Sequence, residues 1–86
     1  MEHSDELTPF YRAVDAASLG RSIAQARKEA ALTQHDLAVK LGVTRGTIVR
    51  LEAGDAVSMV VAMRAIRAVG RDVALVPRFS KLHVQP

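Results

Sequence analysis

Two arginines, Arg45 and Arg50, stand five residues apart in the stretch TRGTIVRLE, residues 44–52. A guanidinium is always charged and holds its donors in a planar fork, a shape that bonds O6 and N7 of a guanine edge together. The hydroxyls of Thr44 and Thr47 suit phosphate oxygens, and their methyl groups suit the methyl of thymine. Gly46 carries no side chain, which permits close approach and leaves a neighbour to read that position. At helical spacing Ile48 and Leu51 share one face, so Thr44, Arg45, Gly46, Thr47, Val49 and Arg50 fall outside it. The chemistry open to that second face is recognition of a DNA major groove. Base contacts would come from Arg45, Gly46, Val49 and Arg50, and phosphate contacts from Thr44 and Thr47. The plainer alternative for the two arginines is a solvated surface.

Such a face works only if something holds it, and the preceding residues supply the means. Residues 33–52, TQHDLAVKLGVTRGTIVRLE, read as two short helices joined by a tight turn. Thr33 precedes the first and Thr44 the second, each placed so that its oxygen accepts a backbone N–H at the helix start. Gly42 falls where the first helix must stop, a position that favours the left-handed conformation. Ala38 is small where the second helix must approach. Leu37, Leu41, Val43, Ile48 and Leu51 supply the shared apolar faces. These roles agree at one spacing, that of a helix-turn-helix.

Around this unit, Gln34 opens the first motif helix, where free amides and the helix dipole favour a phosphate. Thr33, Lys28 and Lys40 are further phosphate contacts by position, or ordinary helix surface. Arg27 ends the preceding helix and Glu52 ends the second motif helix. An ion pair between them would fix the reading helix to the body and would explain an acid beside DNA; the alternative is two independent exposed charges.

Composition agrees with an anionic partner. The net charge of +3 hides an asymmetry: residues 1–15 hold four acids against Arg12, and the rest holds eleven basic against five acidic side chains. A basic body attracts nucleic acid. Rings are few (Phe10, Tyr11 and Phe79), so Ala, Leu and Val must fill the interior. No cysteine is present, which removes disulfides and cysteine-ligated metals. His3, His35 and His83 lack ligand spacing, and no nucleophile has a base beside it. The expectation is a non-enzymatic protein with no metal and no cofactor. No apolar run approaches the roughly 20 residues of a membrane span, and the acidic start MEHSDE is unlike a signal peptide, so a cytoplasmic, nucleoid-associated location is expected.

Along the chain, residues 1–14 read as a polar lead-in with a turn near Thr8-Pro9, and 15–70 as the DNA-binding domain. Helices are expected at about 15–30, 34–41, 45–52 and 58–70. In the last, Met59, Met63 and Ile66 lie on one stripe that reads as core. Residues 71–77 follow as a strand, with Val73, Ala74, Leu75 and Val76 closed by Pro77. Residues 78–86 read as a tail. A lone strand leaves its backbone groups unpaired, so its simplest partner is the same strand of a second copy across a two-fold axis. The alternative is an extended tail packed on its own helices. The fold class is mainly α: four to five helices in a lambda-repressor-like DNA-binding domain, with one short C-terminal strand pairing in a dimer.

The segment from Leu19 to Glu52 resembles the Cro/C1-type (XRE-like) helix-turn-helix family. The matching residues are Arg27, Leu32-Thr33-Gln34, Leu37-Ala38, Gly42-Val43, Thr47-Ile48, Leu51-Glu52 and Gly54, and the likeness continues to about Val69. The resemblance implies that Gln34 contacts phosphate, that Arg45, Gly46 and Arg50 face the groove, and that Arg27 pairs with Glu52. Gly46 departs from the longer polar residue usual there. The segment AMRAIRAVGRDVALVPR is similar to HipB-type antitoxins, which implies the antitoxin of a HipA-like serine/threonine kinase toxin, repressing its own operon as a homodimer. A stand-alone repressor-like regulator and a protein-interaction module built on the same scaffold are the alternatives.

Overall fold

Four polar residues set where the helices begin. In a computed structural model of the chain, which describes residues 10–78, the helices are α1 (Ala16–Glu29), α2 (Gln34–Leu41), α3 (Arg45–Glu52) and α4 (Met59–Ala68). Asp15, Thr33, Thr44 and Ser58 cap them, each accepting from the backbone N–H three residues on. At α1 and α2 the cap is reciprocal. The Asp15 N–H donates to the Ser18 hydroxyl and the Thr33 N–H to the Asp36 carboxylate, so two free donors are satisfied at each start. Those hydrogen bonds hold both carboxyls below the ordinary carboxylate value. For Asp15 the backbone N–H of Ser18 contributes most, and for Asp36 that of Thr33. Helix α1 stops through an Arg27 carbonyl that accepts the N–H of Leu32, with Ala31 in the left-handed region at φ 59°. Gly42 ends α2 at φ 69°.

Helix α3 lies against both α1 and α2, and α2 also carries α4. The core takes Ile23 and Ala26 from α1, Leu37, Ala38 and Leu41 from α2, Ile48 and Leu51 from α3, and Ala65, Ile66 and Val69 from the α4 end. Leu37 and Ile48 are wholly buried, and together they lock the two motif helices. Burying each such side chain stabilises by roughly 1.5–3 kcal/mol. Gly20 permits the closest helix approach. A Cβ there would lie 2.5 Å from the Glu52 carbonyl oxygen and 2.6 Å from that of Leu51. This glycine sits inside α1 as a contact surface.

Two expectations need correction. The Met59/Met63 stripe is not core: Met59 is 78% exposed, and Val60 and Met63 are exposed beside it. Helix α4 is apolar nearly all round, and its solvent side is marked by Arg64 and Arg67, which share a face with Val60 and Met63. Its packed side is Ala62, Ala65, Ile66 and Val69. Second, no strand occurs among the described residues. Residues 71–77 leave α4 without regular structure, and Val73, Ala74, Leu75 and Val76 are exposed, Leu75 at 97%. The described residues offer this segment no strand edge to pair with. The helix count among described residues is four, with no fifth.

The end of the lead-in is tied to the body. The Tyr11 hydroxyl donates to Glu29 at 2.5 Å, Arg71 bridges to the same carboxylate at 2.8 Å, and the Arg71 guanidinium lies 5.4 Å from the Tyr11 ring centre. The bond to Glu29 raises the Tyr11 pKa, and the same bond is the largest cause lowering that of Glu29. The Thr8-Pro9 turn and the tail beyond Arg78 lie outside the described residues.

Gly20→Ala forces α1 away from α3. The expected loss is about 2 kcal/mol or more, with a lower midpoint in urea denaturation; an unchanged midpoint would show that the helices yield without cost.

Candidate nucleic-acid interface

The site begins in the body, at the end of α1. Arg27 projects into the junction of α1, α2 and α3, where its Nε donates to Glu52 Oε2 at 2.6 Å and its Nη2 to Glu52 Oε1 at 3.1 Å. The remaining Nη1 donates to the Leu32 carbonyl at 2.9 Å. The two side chains are 10% and 7% exposed, so this is a buried, two-pronged ion pair and neither charge is independent. Its geometry fastens the C-terminal turn of α3 to α1 and to the α1–α2 turn together.

From that pair a hydrogen-bond chain runs outward. Gln34, first residue of α2 and half-buried, donates from Nε2 to Glu52 Oε1 at 3.0 Å, and its Oε1 accepts from Arg45 Nη2 at 3.0 Å. The amide has one self-consistent orientation, because turning it over would set its oxygen against a carboxylate. Arg45 is therefore oriented through Gln34 by the ion pair. It remains exposed, with most of its donors unused by this bond and its charge uncompensated by Gln34. The sequence pattern placed Gln34 against phosphate; its side chain in this structure is engaged with Glu52 and Arg45. That bridge joins the start of α2 to both ends of α3, and no local spacing signals it.

Helix α3 buries Ile48 and Leu51 and leaves Thr44, Arg45, Gly46, Val49 and Arg50 exposed, with Thr47 half-buried. Thr44 spends its hydroxyl oxygen as the cap for Thr47 N–H and also lies 3.1 Å from the Thr47 hydroxyl. Arg50 turns the other way from Arg45. Five residues along a helix correspond to roughly 140° of rotation and about 7.5 Å of rise. Its Nη2 donates to the Ala56 carbonyl at 2.7 Å, over an open recess of about 460 Å³ lined by Val43, Thr47, Ala56, Val57, Ser58 and Val61. That carbonyl, in the loop after α3, is a second partner that the sequence pattern did not supply. Thr33, Lys28 and Lys40 are exposed, Thr33 as the α2 cap and the lysines in the last turns of α1 and α2. Val73, Ala74, Leu75 and Val76 join neither the hydrogen-bond chain nor the α3 face.

Among the described residues, no group of three or more His, Cys, Asp or Glu could hold a metal ion, and no helix is long and apolar enough to cross a membrane. What remains is a basic, exposed helix face anchored by a buried ion pair, and comparison with known proteins gives it a family. Residues 18–79 match the model of a helix-turn-helix domain. The chain belongs to the helix-turn-helix family of transcriptional regulators. An uncharacterised HTH-type transcriptional regulator of Methanothermobacter thermautotrophicus is 49% identical to it over 51 residues, which is 58% of this chain and 74% of that relative. In a helix-turn-helix the second helix of the pair meets the DNA, here α3. DNA-binding transcriptional regulation is the activity of this family.

Removing one partner of a buried ion pair leaves the other charge uncompensated. Glu52→Ala is expected to cost about 3–5 kcal/mol, whereas Arg27→Met with Glu52→Leu together should cost less than either single change. Urea denaturation of the three variants checks this; a single-variant cost below about 1 kcal/mol would show that the pair carries no anchoring.

Proposed function

We propose that this helix-turn-helix protein is a sequence-specific repressor that acts as a homodimer. Each protomer would offer α3 to one of two successive major grooves of an operator with inverted half-sites. The observation that carries this reading is the chain Arg27–Glu52–Gln34–Arg45, which orients a charged fork on the exposed face of α3 from a buried anchor. Arg45 reads a guanine edge. Arg50, released from the Ala56 carbonyl, reaches a base or a phosphate further along, with Gly46 and Val49 between them. Thr33, Thr44, Thr47, Lys28, Lys40 and the amide end of α2 at Gln34 face the backbone on either side, where contacts position the helix without reading sequence.

The dimer is built through residues 73–76. Val73, Ala74, Leu75 and Val76 are exposed and without regular structure in the single chain, and pairing with a mate would satisfy their backbone groups and cover Leu75. Within this reading the chain is the antitoxin of a HipA-like kinase toxin that represses its own operon. Support for that role is the resemblance of residues 62–78 to the HipB-type group. A stand-alone regulator is the second reading, favoured by the relative described as an HTH-type transcriptional regulator. A kinase-like reading frame beside the gene separates the two.

Titration of the purified protein against its own promoter DNA, at several salt concentrations and with scrambled competitor, tests the DNA-binding core of the proposal. The expected outcome is promoter-selective binding that weakens steeply with salt, lost in Arg45→Ala/Arg50→Ala while the dimer mass persists. Equal binding by the double variant removes α3 as the reading helix, and binding indifferent to sequence favours a protein-interaction scaffold. Deleting residues 72–86 is expected to shift the mass in solution from dimer to monomer; an unchanged dimer refutes the strand pairing.

A further inference from the structure

Gly46 is a glycine that the fold does not need. Gly20 is required by the α3 carbonyls against it, and Gly42, Gly54 and Gly70 have positive φ. At Gly46 the backbone is helical, and an added Cβ would meet only the Thr44 hydroxyl oxygen, at 3.8 Å. A Cβ fits there without displacing a neighbour. Glycine is also the poorest helix former after proline, so its presence in the first turn of an eight-residue helix weakens α3 with no return in packing.

Its direction supplies the reason. At about 100° per residue, the midpoint between Ile48 and Leu51 defines the buried side of α3, and Gly46 lies within roughly 10° of the opposite pole. Arg45, Val49 and Arg50 spread to its two sides. The point of α3 that projects furthest from the body therefore has bare backbone, flanked by two arginines and a valine.

We propose that Gly46 is a specificity-determining residue that sets how deeply α3 seats in the major groove. A base-pair edge that projects into the groove, of which the thymine methyl is the bulkiest, packs directly against the Gly46 backbone, and Arg45 and Arg50 reach down on either side. Selectivity at that base pair comes from shape, because any side chain at position 46 would lift the helix and shorten the reach of both arginines. This rests on α3 being the reading helix, and the experiment separates the two ideas.

Duplexes are selected from a randomised pool with the wild-type chain, and the best one is titrated with wild type, Gly46→Ala, Gly46→Gln and Arg45→Ala/Arg50→Ala, alongside thermal melts. The expected result for Gly46→Ala has opposite signs: a melting temperature higher by about 2–6 °C and an affinity for the selected duplex lower by about tenfold or more. Gly46→Gln should lose the same duplex and, in its own selection, enrich a different base pair at one position per half-site. If Gly46→Ala binds within twofold of wild type while the double arginine variant fails, the Gly46 proposal is overturned and the reading helix stands. If wild type enriches no duplex, or the double variant binds equally well, the reading helix falls and the proposal falls with it.

Discussion

The buried ion pair between Arg27 and Glu52 is the constraint on which the rest of the arrangement depends. It joins the last turn of α1 to the last residue of α3, and its third bond holds the Leu32 carbonyl in the α1–α2 turn. An apolar pair of similar volume could stabilise the junction as well or better, since burying two charges costs much of what their attraction returns. What an apolar pair could not do is continue outward. Glu52 Oε1 accepts from both Arg27 and Gln34, and through Gln34 the pair aims Arg45. Its value lies in direction more than in stability.

That junction forms only because the helices come close. Helices of eight residues are not stable alone in water, so α2 and α3 exist through their packing and their caps. Gly20 lets α1 reach the carbonyls of Leu51 and Glu52, which sets the height at which the Glu52 side chain meets Arg27. Gly54 continues the same contact, since a Cβ there would lie 2.7 Å from the Ala17 Cα. The small residues of α1 and the loop after α3 therefore fix the spacing, and the ion pair fixes the orientation.

Much of this was legible in the sequence where the signal is local. The caps Thr33 and Thr44, the stop at Gly42 and the inward set Leu37, Ile48 and Leu51 are each a residue type at a fixed offset, and α2 and α3 have the expected bounds. The face of α4 was harder to read because apolar residues surround it, and Arg64 and Arg67 mark its solvent side where the methionine stripe does not mark its packed side. Gln34 as a bridge, Ala56 as the partner of Arg50, and the Tyr11–Glu29–Arg71 cluster each join residues distant in sequence or set by loop shape, so no periodicity could reveal them. Residues 73–76 show the opposite limit. Two β-branched residues in a short apolar run closed by proline report that a segment can be a strand, but a strand is a relation between two segments, and the described residues hold only one of them.

The division of α3 into two faces has a consequence for how such a protein acquires its target. Ile48, Leu51 and Glu52 are bound to the body, so changes there cost the fold. Arg45, Gly46, Val49 and Arg50 lie outside the buried core, and Arg45 and Arg50 each make a single side-chain hydrogen bond. Arg45 is the one outward residue with a tie to the buried anchor. Arg45 is tied through Gln34 to the buried pair, whereas Arg50 is tied to the Ala56 carbonyl in the loop after α3. In the proposed complex the two arginines would therefore leave different partners behind, Arg45 a side chain fixed by the buried pair and Arg50 a carbonyl of the loop after α3.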